Sequence, residues 1–496
     1  VSPIFDIARR RAEIAPDRIA LVERATGRSL TYREFDRRAE RAARLLLARG
    51  LVRGDRVAIL TLNCAAFFEI LLGCAKAGLI LVPLNWRLSA GELAAILADC
   101  TPRLLVHDAA NADTAAMLER SGGPPALSIA AYERECVAPA DPLGDGAWPV
   151  DGLWYLLYTS GTTGRPKAVM QSFGMALANY VNIAQAIDLT SADRALNMLP
   201  LFHTAGINLY TLPMLIAGGR TTIMPKFDPE QTLAAIAAGE VTCFFGVPAI
   251  YQALAAHRDF AQADLSAVRS WGCGGAPLPV PLLRRFLSRG IRVCNGYGMT
   301  ETGPTVFLMD PEHVEAKPGS VGKAQILSQI RIVDSDGQDV PAGIAGEVWI
   351  RGQNVTPGYW NDPQATRAAF AEGGWLRTGD VGRRDEDGYA YLVDRIKDMY
   401  ISGGENVYPA EIEHVLLDHP DVLDAAVIGA PDERWGEVGR AFVVGRPGAA
   451  PTAEALRAHC RERLAAYKVP KSIALVAELP RTAAGKVQKH LLKARS

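Results

Sequence analysis

Twice along this chain, short β-branched or apolar runs alternate with helical patterns, and that repetition restricts the fold more than any other feature. The first series starts at "DRVAIL" (Asp55 to Leu60) and passes through a helix-like "AAFFEILLGCAKAG" to the run "LILVPLN". A helix "SAGELAAILADC", opened by Ser89, and the run "RLLVHD" complete it. The second series contains "RALNMLP", "RTTIMP", "TLAAIAAGE", "VTCFFG", "VRSWGCGG" and "IRVCNGYG". Strands separated by helices pair in parallel, so each series predicts a parallel sheet covered by helices, an α/β architecture. From Val321 to Tyr359 the pattern changes to short strands with turn signals ("VDSDGQDVPAGIAGEVWIRG"), which predicts a small antiparallel barrel or sheet. After Asp394 a shorter segment holds strands ("AAVIG", "AFVVG"), helices and a charged end, the pattern of a small α+β domain.

Length agrees with this division, since 496 residues exceed what one core organises. A hydrophobic content of 49% with 22% charged residues is ordinary for a globular enzyme, and a net charge of −1 leaves no basic footprint for nucleic acid or an acidic membrane. The longest apolar stretch, Ala65 to Leu84, is interrupted by Glu69, Lys76 and two glycines; it reads as a helix followed by a strand, not a membrane span. The opening "VSPIFDIARRRAEIAPDR" lacks the apolar core of a signal peptide. Eight cysteines lie scattered without a C-x-x-C pair, which argues against structural zinc and for a reducing compartment, with the cytoplasm as the expected location.

The loop "YTSGTTGRPKAV" (Tyr158 to Val169) follows the buried-strand pattern "LWYLLY". Small residues let backbone N–H groups approach a ligand, and hydroxyls converging with one ammonium suit a phosphate. A flexible linker is the competing reading. It is not a Walker A loop, because two residues rather than four separate Gly161 from Gly164, and Arg165 and Pro166 precede Lys167.

Four more stretches carry candidate chemistry. "GCGGAPLP" (Gly272 to Pro279) is a second glycine-rich turn after a strand. "NGYGMTETG" (Asn295 to Gly303) places an aromatic ring, a hydroxyl and a carboxylate on one loop, either a platform for a base and a metal or a turn with a packed tyrosine. "GWLRTGDVGRRDEDGYAYLVDRIKDMYISGGENVYPAEIE" (Gly374 to Glu413) places Asp380 in a tight turn before a dense Asp/Arg/Lys segment that ends in another glycine loop, with a solvated charged linker between domains as the plainer meaning. "PRTAAGKVQKHLL" (Pro480 to Leu492) sets Lys486 directly after a glycine, where a surface lysine is the plainer meaning.

Taken in order, these motifs resemble the adenylate-forming superfamily of acyl-CoA synthetases, peptide-synthetase adenylation domains and beetle luciferases, over nearly the whole chain from Leu30 to Lys486. "ISGGENVYPAEIE" and "DERWGE" are most similar to bacterial fatty-acid and aromatic-acid CoA ligases. The resemblance implies an N-terminal domain 1–394 of two βα-type subdomains plus a small β-barrel, a hinge at 395–398 and a mobile α+β C-terminal domain 399–496. It also implies two half-reactions. A carboxylate attacks the α-phosphorus of ATP to give acyl-adenylate and pyrophosphate, and the thiol of coenzyme A (CoA) then displaces AMP. The first half depends on positioning and charge stabilisation.

By the same resemblance, Thr159, Ser160, Gly161, Thr162, Thr163, Gly164 and Lys167 would hold the β- and γ-phosphates, Thr300 would touch phosphate, and Glu301 would carry Mg²⁺. Gly274, Gly275 and Ala276 would line one face of adenine with Tyr297 on the other, within the nucleotide segment Asn295, Gly296, Tyr297 and Gly298. Asp380 would accept the ribose hydroxyls, with Arg395 helping. Lys486 would meet the α-phosphate and the attacking oxygen, then leave as the small domain turns about Lys397. That rotation would bring in the loop with Gly403, Gly404 and Glu405. Arg87, Trp435, Tyr467 and Lys471 are candidates for the CoA nucleotide, although Val469 stands where some relatives place a basic residue. The acyl pocket would be built from His203, Ala205, Gly206, Val247, Gly272, Met299 and Gly303. Apart from His203 and Glu301 the pocket segments carry no charge, which disfavours diacids and amino acids.

Small residues at Ala205, Gly206, Gly272 and Gly274 suggest room for something elongated or flat. A medium or long fatty acid is the first expectation, with a phenylpropanoid or benzoate acid close behind. Delivery of the acyl group to a carrier protein and a nonenzymatic acyl or nucleotide sensor are the other classes. The expected partners are an acid, ATP and CoA, in a monomer or homodimer, with no nucleic acid and no transmembrane segment. The exposed context "PRTAAGK" also resembles sites where acetylation of the lysine silences relatives.

Overall fold

The computed structural model describes residues 4–136, 143, 146–159, 166–402, 405–481 and 487–493. Two large sheets form the body. In the first, the strands Arg56–Leu60, Ile80–Pro83, Leu104–His107, Ala126–Ser128 and Leu153–Thr159 run parallel. In the second, parallel strands run in space from Val293–Gly298 through Ser270–Cys273, Cys243–Gly246, Arg194–Asn197 and Arg220–Ile223 to Ile19–Glu23. Both series expected from the sequence are present. Ile80–Pro83 and Cys243–Gly246 are buried at every position, as strands covered on both faces must be, and their apolar runs follow from that.

Helices fill the space against these sheets, and local chemistry fixes their starts. Ser89 with Glu92 and Thr31 with Glu34 form reciprocal capping boxes at Ala90–Cys100 and Tyr32–Ala48. The helix Ala65–Ala77 is buried from Ala65 to Ala75 and ends on Gly78 in the left-handed conformation. Its two charges sit inside protein, each with partners. Glu69 accepts from Arg28, Arg38 and Tyr132 at 2.5, 2.6 and 2.8 Å, and Lys76 meets Asp6 and Asp36 at 2.5 and 2.7 Å. No helix among the described residues is long and apolar enough to cross a membrane.

The strand after the glycine-rich loop departs from parallel order. Lys167–Ser172 turns back beside Leu153–Thr159, with Thr159 opposite Lys167, so the two ends of "YTSGTTGRPKAV" belong to an antiparallel hairpin on the edge of the first sheet. A third, antiparallel sheet contains Ser328–Val333, Gly346–Gly352, Phe370–Ala371, Trp375–Arg384 and Ala390–Arg395, and so runs past Tyr359. A turn follows in which Asp398 N and Met399 N both donate to Arg395 O, at 3.0 and 3.1 Å. Beyond it, Tyr400–Ser402, Glu405–Val407, Val422–Asp432, Gly436–Gly445 and Ser472–Leu475 make a fourth sheet, packed against the helices Pro409–Leu417 and Ala453–Arg461. The chain is an α/β protein with a separate α+β C-terminal domain.

Candidate active site

The outer strand of the hairpin is held by the segment around Tyr359. Met170 N donates to Gly358 O at 3.1 Å and Trp360 N to Ala168 O at 2.9 Å, which sets Val169 opposite Tyr359. The turn Thr300–Thr302 is clamped beneath them: Gln171 Nε2 donates to Thr300 O (2.8 Å), Thr356 N to Glu301 O (2.8 Å) and Asn354 Nδ2 to Thr302 O (2.9 Å). Only glycine fits at Gly298, where a Cβ would lie 1.4 Å from Pro304 O; Gly303 closes the turn at φ 79°.

This clamp leaves Glu301 buried, at 8% exposure. Tyr359 Oη donates to Glu301 Oε1 at 2.9 Å, and Lys167 Nζ stands 5.2 Å from the centre of the Tyr359 ring. Burial, and then the Glu301 charge, push the Tyr359 hydroxyl well above its ordinary value, so it stays a donor. A cation and a carboxylate thus both contact one phenol at the start of the hairpin's outer strand.

A second wall is built around Asp380, 6% exposed. Asp380 and Arg395 face each other on antiparallel strands, with Arg395 Nε 3.1 Å from Oδ1. Tyr297 Oη donates to Oδ2 at 2.6 Å; burial, then the Asp380 charge, hold that phenol protonated. Next to Tyr297, Asn295 has its Oδ1 buried without a hydrogen-bond partner among the described residues. Gly274 is buried, Gly275 adopts φ 81°, and Ala276 is exposed at the neighbouring strand end.

His203 lies in the loop that follows the strand Arg194–Asn197 of the second sheet. Its ring is 4.8 Å from that of Phe202, which meets Trp86 edge-on at 6.1 Å. Buried asparagines shape the loop: Asn63 Nδ2 donates to Leu199 O (2.8 Å), Asn197 Nδ2 to Gly206 O (2.8 Å) and Asn179 Nδ2 to Asn208 O (2.6 Å). The small residues do not all leave space. A Cβ on Gly206 would lie 2.3 Å from Pro200 O, and one on Gly272 would lie 2.7 Å from Tyr210 Oη and 2.8 Å from Phe245. These glycines let neighbours approach, and the volume over Gly272 is filled by two aromatic rings. Ala205, Tyr210 and Val247 are partly exposed beside it, and Met299 Sδ is 3.9 Å from Tyr297 Oη.

Among the CoA candidates, Arg87 stacks over Trp86 (4.7 Å) and Phe202 (5.9 Å), on the His203 side of the molecule. Lys471 pairs with Asp432, which also accepts from Trp435 N; Trp435 and Tyr467 are 45% and 37% exposed. Glu405 opens a strand of the small domain. Lys397 sits in the turn after Arg395, and burial, then Arg395, lower its ammonium below the usual lysine range. Asp394 Oδ2 accepts from Ala410 N (2.7 Å) at the start of Pro409–Leu417, and Lys489 pairs with Glu413 at 2.8 Å. Ser160, Gly161, Thr162, Thr163, Gly164, Gly403, Gly404 and Lys486 lie outside the described residues. Tyr359, Gln171 and Tyr210 escaped the sequence reading; each belongs to a run whose local pattern signals only a strand, a turn or a packed ring.

The pattern of AMP-binding enzymes matches residues 8–360, and that of the AMP-binding enzyme C-terminal domain matches residues 411–486. The chain therefore belongs to the AMP-binding enzymes, within the adenylate-forming superfamily, and is an ATP-dependent acid–CoA ligase that uses ATP, Mg²⁺ and CoA. It is 45% identical to a feruloyl-CoA synthase of an Amycolatopsis species over 482 residues, 97% of this chain and 96% of that protein. It is 37% identical to a long-chain-fatty-acid–CoA ligase of Mycobacterium tuberculosis over 98% of this chain and 97% of that one. The structure of the Bacillus subtilis O-succinylbenzoate coenzyme A synthetase with ATP and magnesium matches with a TM-score of 0.90 at 34% identity, over 99% of each chain.

Proposed function

We propose that the acid is a flat aromatic one, of the phenylpropanoid or benzoate kind. The observation that supports this reading is the close packing at Gly272, where a Cβ would meet Tyr210 Oη at 2.7 Å and Phe245 at 2.8 Å, so this glycine opens little volume for an extended chain. Small residues at Ala205, Gly206, Gly272 and Gly274 suggested room for something elongated or flat, and Gly206 and Gly272 supply little of it. The 45% identity to a feruloyl-CoA synthase, against 37% to the long-chain enzyme, supports the same choice.

In this reading the nucleotide lies between the two walls. Asp380 takes the ribose, Tyr297 and the Gly274–Ala276 turn hold the base, and the orphaned Asn295 Oδ1 offers an acceptor to the adenine amino group. Lys167 and the glycine-rich segment before it take the terminal phosphates. Glu301 suits Mg²⁺, a hard cation that binds through one or two carboxylates plus substrate phosphates and water; when bound, the ion neutralises phosphate charge. The carboxylate oxygen bonds to the α-phosphorus as the bond to pyrophosphate breaks, with Lys486 beside the crowded charge and His203 against the acid. The small domain, beginning at the turn around Lys397, then rotates. The CoA sulfur bonds to the acyl carbon, loses its proton and expels AMP.

The test is pyrophosphate release across a panel of cinnamic, benzoic and fatty acids, with and without CoA. The reading requires kcat/KM for the best aromatic acid to exceed that for every fatty acid, with thioester formed only when CoA is present. A preference for a fatty acid of twelve or more carbons would overturn it.

A further inference from the structure

We propose that Tyr359 is the positioning residue of the phosphate and metal site, setting both the carboxylate of Glu301 and the ammonium of Lys167. The proposal rests on the roles given to Glu301 and Lys167 above; it does not depend on which acid the enzyme takes.

Three observations support it. First, Tyr359 contacts both groups, through a 2.9 Å bond from its hydroxyl to Glu301 Oε1 and through its ring face 5.2 Å from Lys167 Nζ. Second, its own place is fixed independently of either. Tyr359 N donates to Thr366 Oγ1 at 2.9 Å, and the flanking Gly358 and Trp360 are hydrogen-bonded to Met170 and Ala168 of the hairpin. Gly358 permits this at φ 142°, where a Cβ would meet the Thr366 side chain at 2.4 Å. Third, the turn that bears Glu301 is held by its own bonds, from Gln171 Nε2 to Thr300 O and from Thr356 N to Glu301 O, both at 2.8 Å, so the phenol meets a carboxylate whose backbone is already placed.

The chemistry needs such a residue. The Glu301 side chain has three rotatable bonds and could turn toward the nearby ammonium, which would silence both groups before ATP arrives. A phenol that donates to one carboxylate oxygen restricts its rotation while leaving its charge. A ring face holds an ammonium by its quadrupole without neutralising it, a contact worth roughly 0.5–2 kcal/mol. Tyr359 thus keeps the opposite charges oriented toward a common ligand instead of toward each other. Groups held in place in this way need no reorganisation when charge develops.

Two substitutions separate the contacts. Tyr359→Phe keeps the ring over Lys167 and removes the hydroxyl; Tyr359→Leu removes both. Tyr359→Phe should raise the Mg²⁺ concentration for half-maximal pyrophosphate release about tenfold, as loss of one charge-assisted hydrogen bond of roughly 1.4 kcal/mol would do. It should leave untouched the conversion of supplied acyl-adenylate and CoA to thioester. Titration calorimetry of Mn²⁺ onto the variant loaded with a non-hydrolysable ATP analogue should show the same weakening without turnover. Tyr359→Leu should in addition raise KM for ATP. In a Glu301→Gln background Tyr359→Phe should change nothing further in the Mg²⁺ dependence. Unaltered Mg²⁺ and Mn²⁺ dependence in a folded Tyr359→Phe enzyme would overturn the proposal. So would equal loss of both half-reactions, the mark of a merely structural role. If Glu301→Gln itself leaves the Mg²⁺ dependence unchanged, the assignment of Glu301 is what fails.

Discussion

Replacing Asp380 by asparagine tests the nucleotide wall more sharply than any truncation, because it keeps the shape and removes one charge. Two effects must be separated. In the fold, Asp380 accepts from Tyr297 Oη at 2.6 Å and pairs with Arg395 at 3.1 Å. Asparagine still offers one oxygen to the buried phenol, so that bond falls from charge-assisted to neutral at a cost of about 1 kcal/mol. The Arg395 side chain is 43% exposed, and a pair of that kind contributes up to about 1 kcal/mol. The variant should therefore fold, with a stability loss of roughly 1–2 kcal/mol. In the proposed reaction the charge faces the ribose. A carboxylate accepting two hydroxyls makes two charge-assisted bonds of roughly 1.5–3 kcal/mol each, and the amide can replace about one of them. The expected loss in kcat/KM for ATP is thus about ten- to two-hundredfold. The assay is pyrophosphate release with ATP and with 2′-deoxy-ATP. The parent enzyme should discriminate against the deoxy nucleotide, and Asp380→Asn should have lost most of that discrimination. If both enzymes lose the same factor on removal of the 2′-hydroxyl, Asp380 does not bind the ribose, and the placement of the nucleotide between the two walls is wrong.

Other perturbations probe other parts of the site. Tyr210→Ala should remove the ring over Gly272 and widen the acid range, raising kcat/KM for eight- to twelve-carbon fatty acids at least tenfold relative to the best aromatic acid; an unchanged acid panel would show that Tyr210 is not the wall. Lys489→Met should leave Glu413 without its cation, inside a buried environment that raises its carboxyl pKa, and cost up to roughly 3–5 kcal/mol in denaturant unfolding of the small domain; adding Glu413→Gln should restore much of it, and failure to do so would mean that the pair is not what holds this helix. Chemical acetylation mapped to Lys486 should abolish adenylation, as measured by pyrophosphate release, and full activity of the acetylated enzyme would rule out that lysine as a control point.

Much of this architecture was legible from periodicity. The buried strands Ile80–Pro83 and Cys243–Gly246 are continuous apolar runs because both of their faces are covered, and the capping boxes at Thr31 and Ser89 are written in residues three apart. The hairpin was less visible, because "KAVMQS" mixes polar and apolar positions at a sheet edge and its partner strand is shared with a parallel neighbour. The two walls could be named from motifs, but their closure could not. Tyr359 lies 58 residues from Glu301, and no local pattern marks a tyrosine as the donor to a carboxylate that distant. The room beside the small residues was illegible for a related reason. Glycine in a sequence is silent on whether the space above it is open or filled, and over Gly272 it is filled by Tyr210 and Phe245, which arrive from other segments.

The account stands most directly on the division of labour between the two half-reactions, and a single pair of rate measurements on Lys486→Ala examines it. Adenylation should fall by roughly 10²–10³ or more, the loss expected when one charge donor is removed at the transition state. Conversion of supplied aromatic acyl-adenylate and CoA to thioester should continue within a few-fold of the parent rate. Equal loss in both measurements, or adenylation that survives, would contradict it.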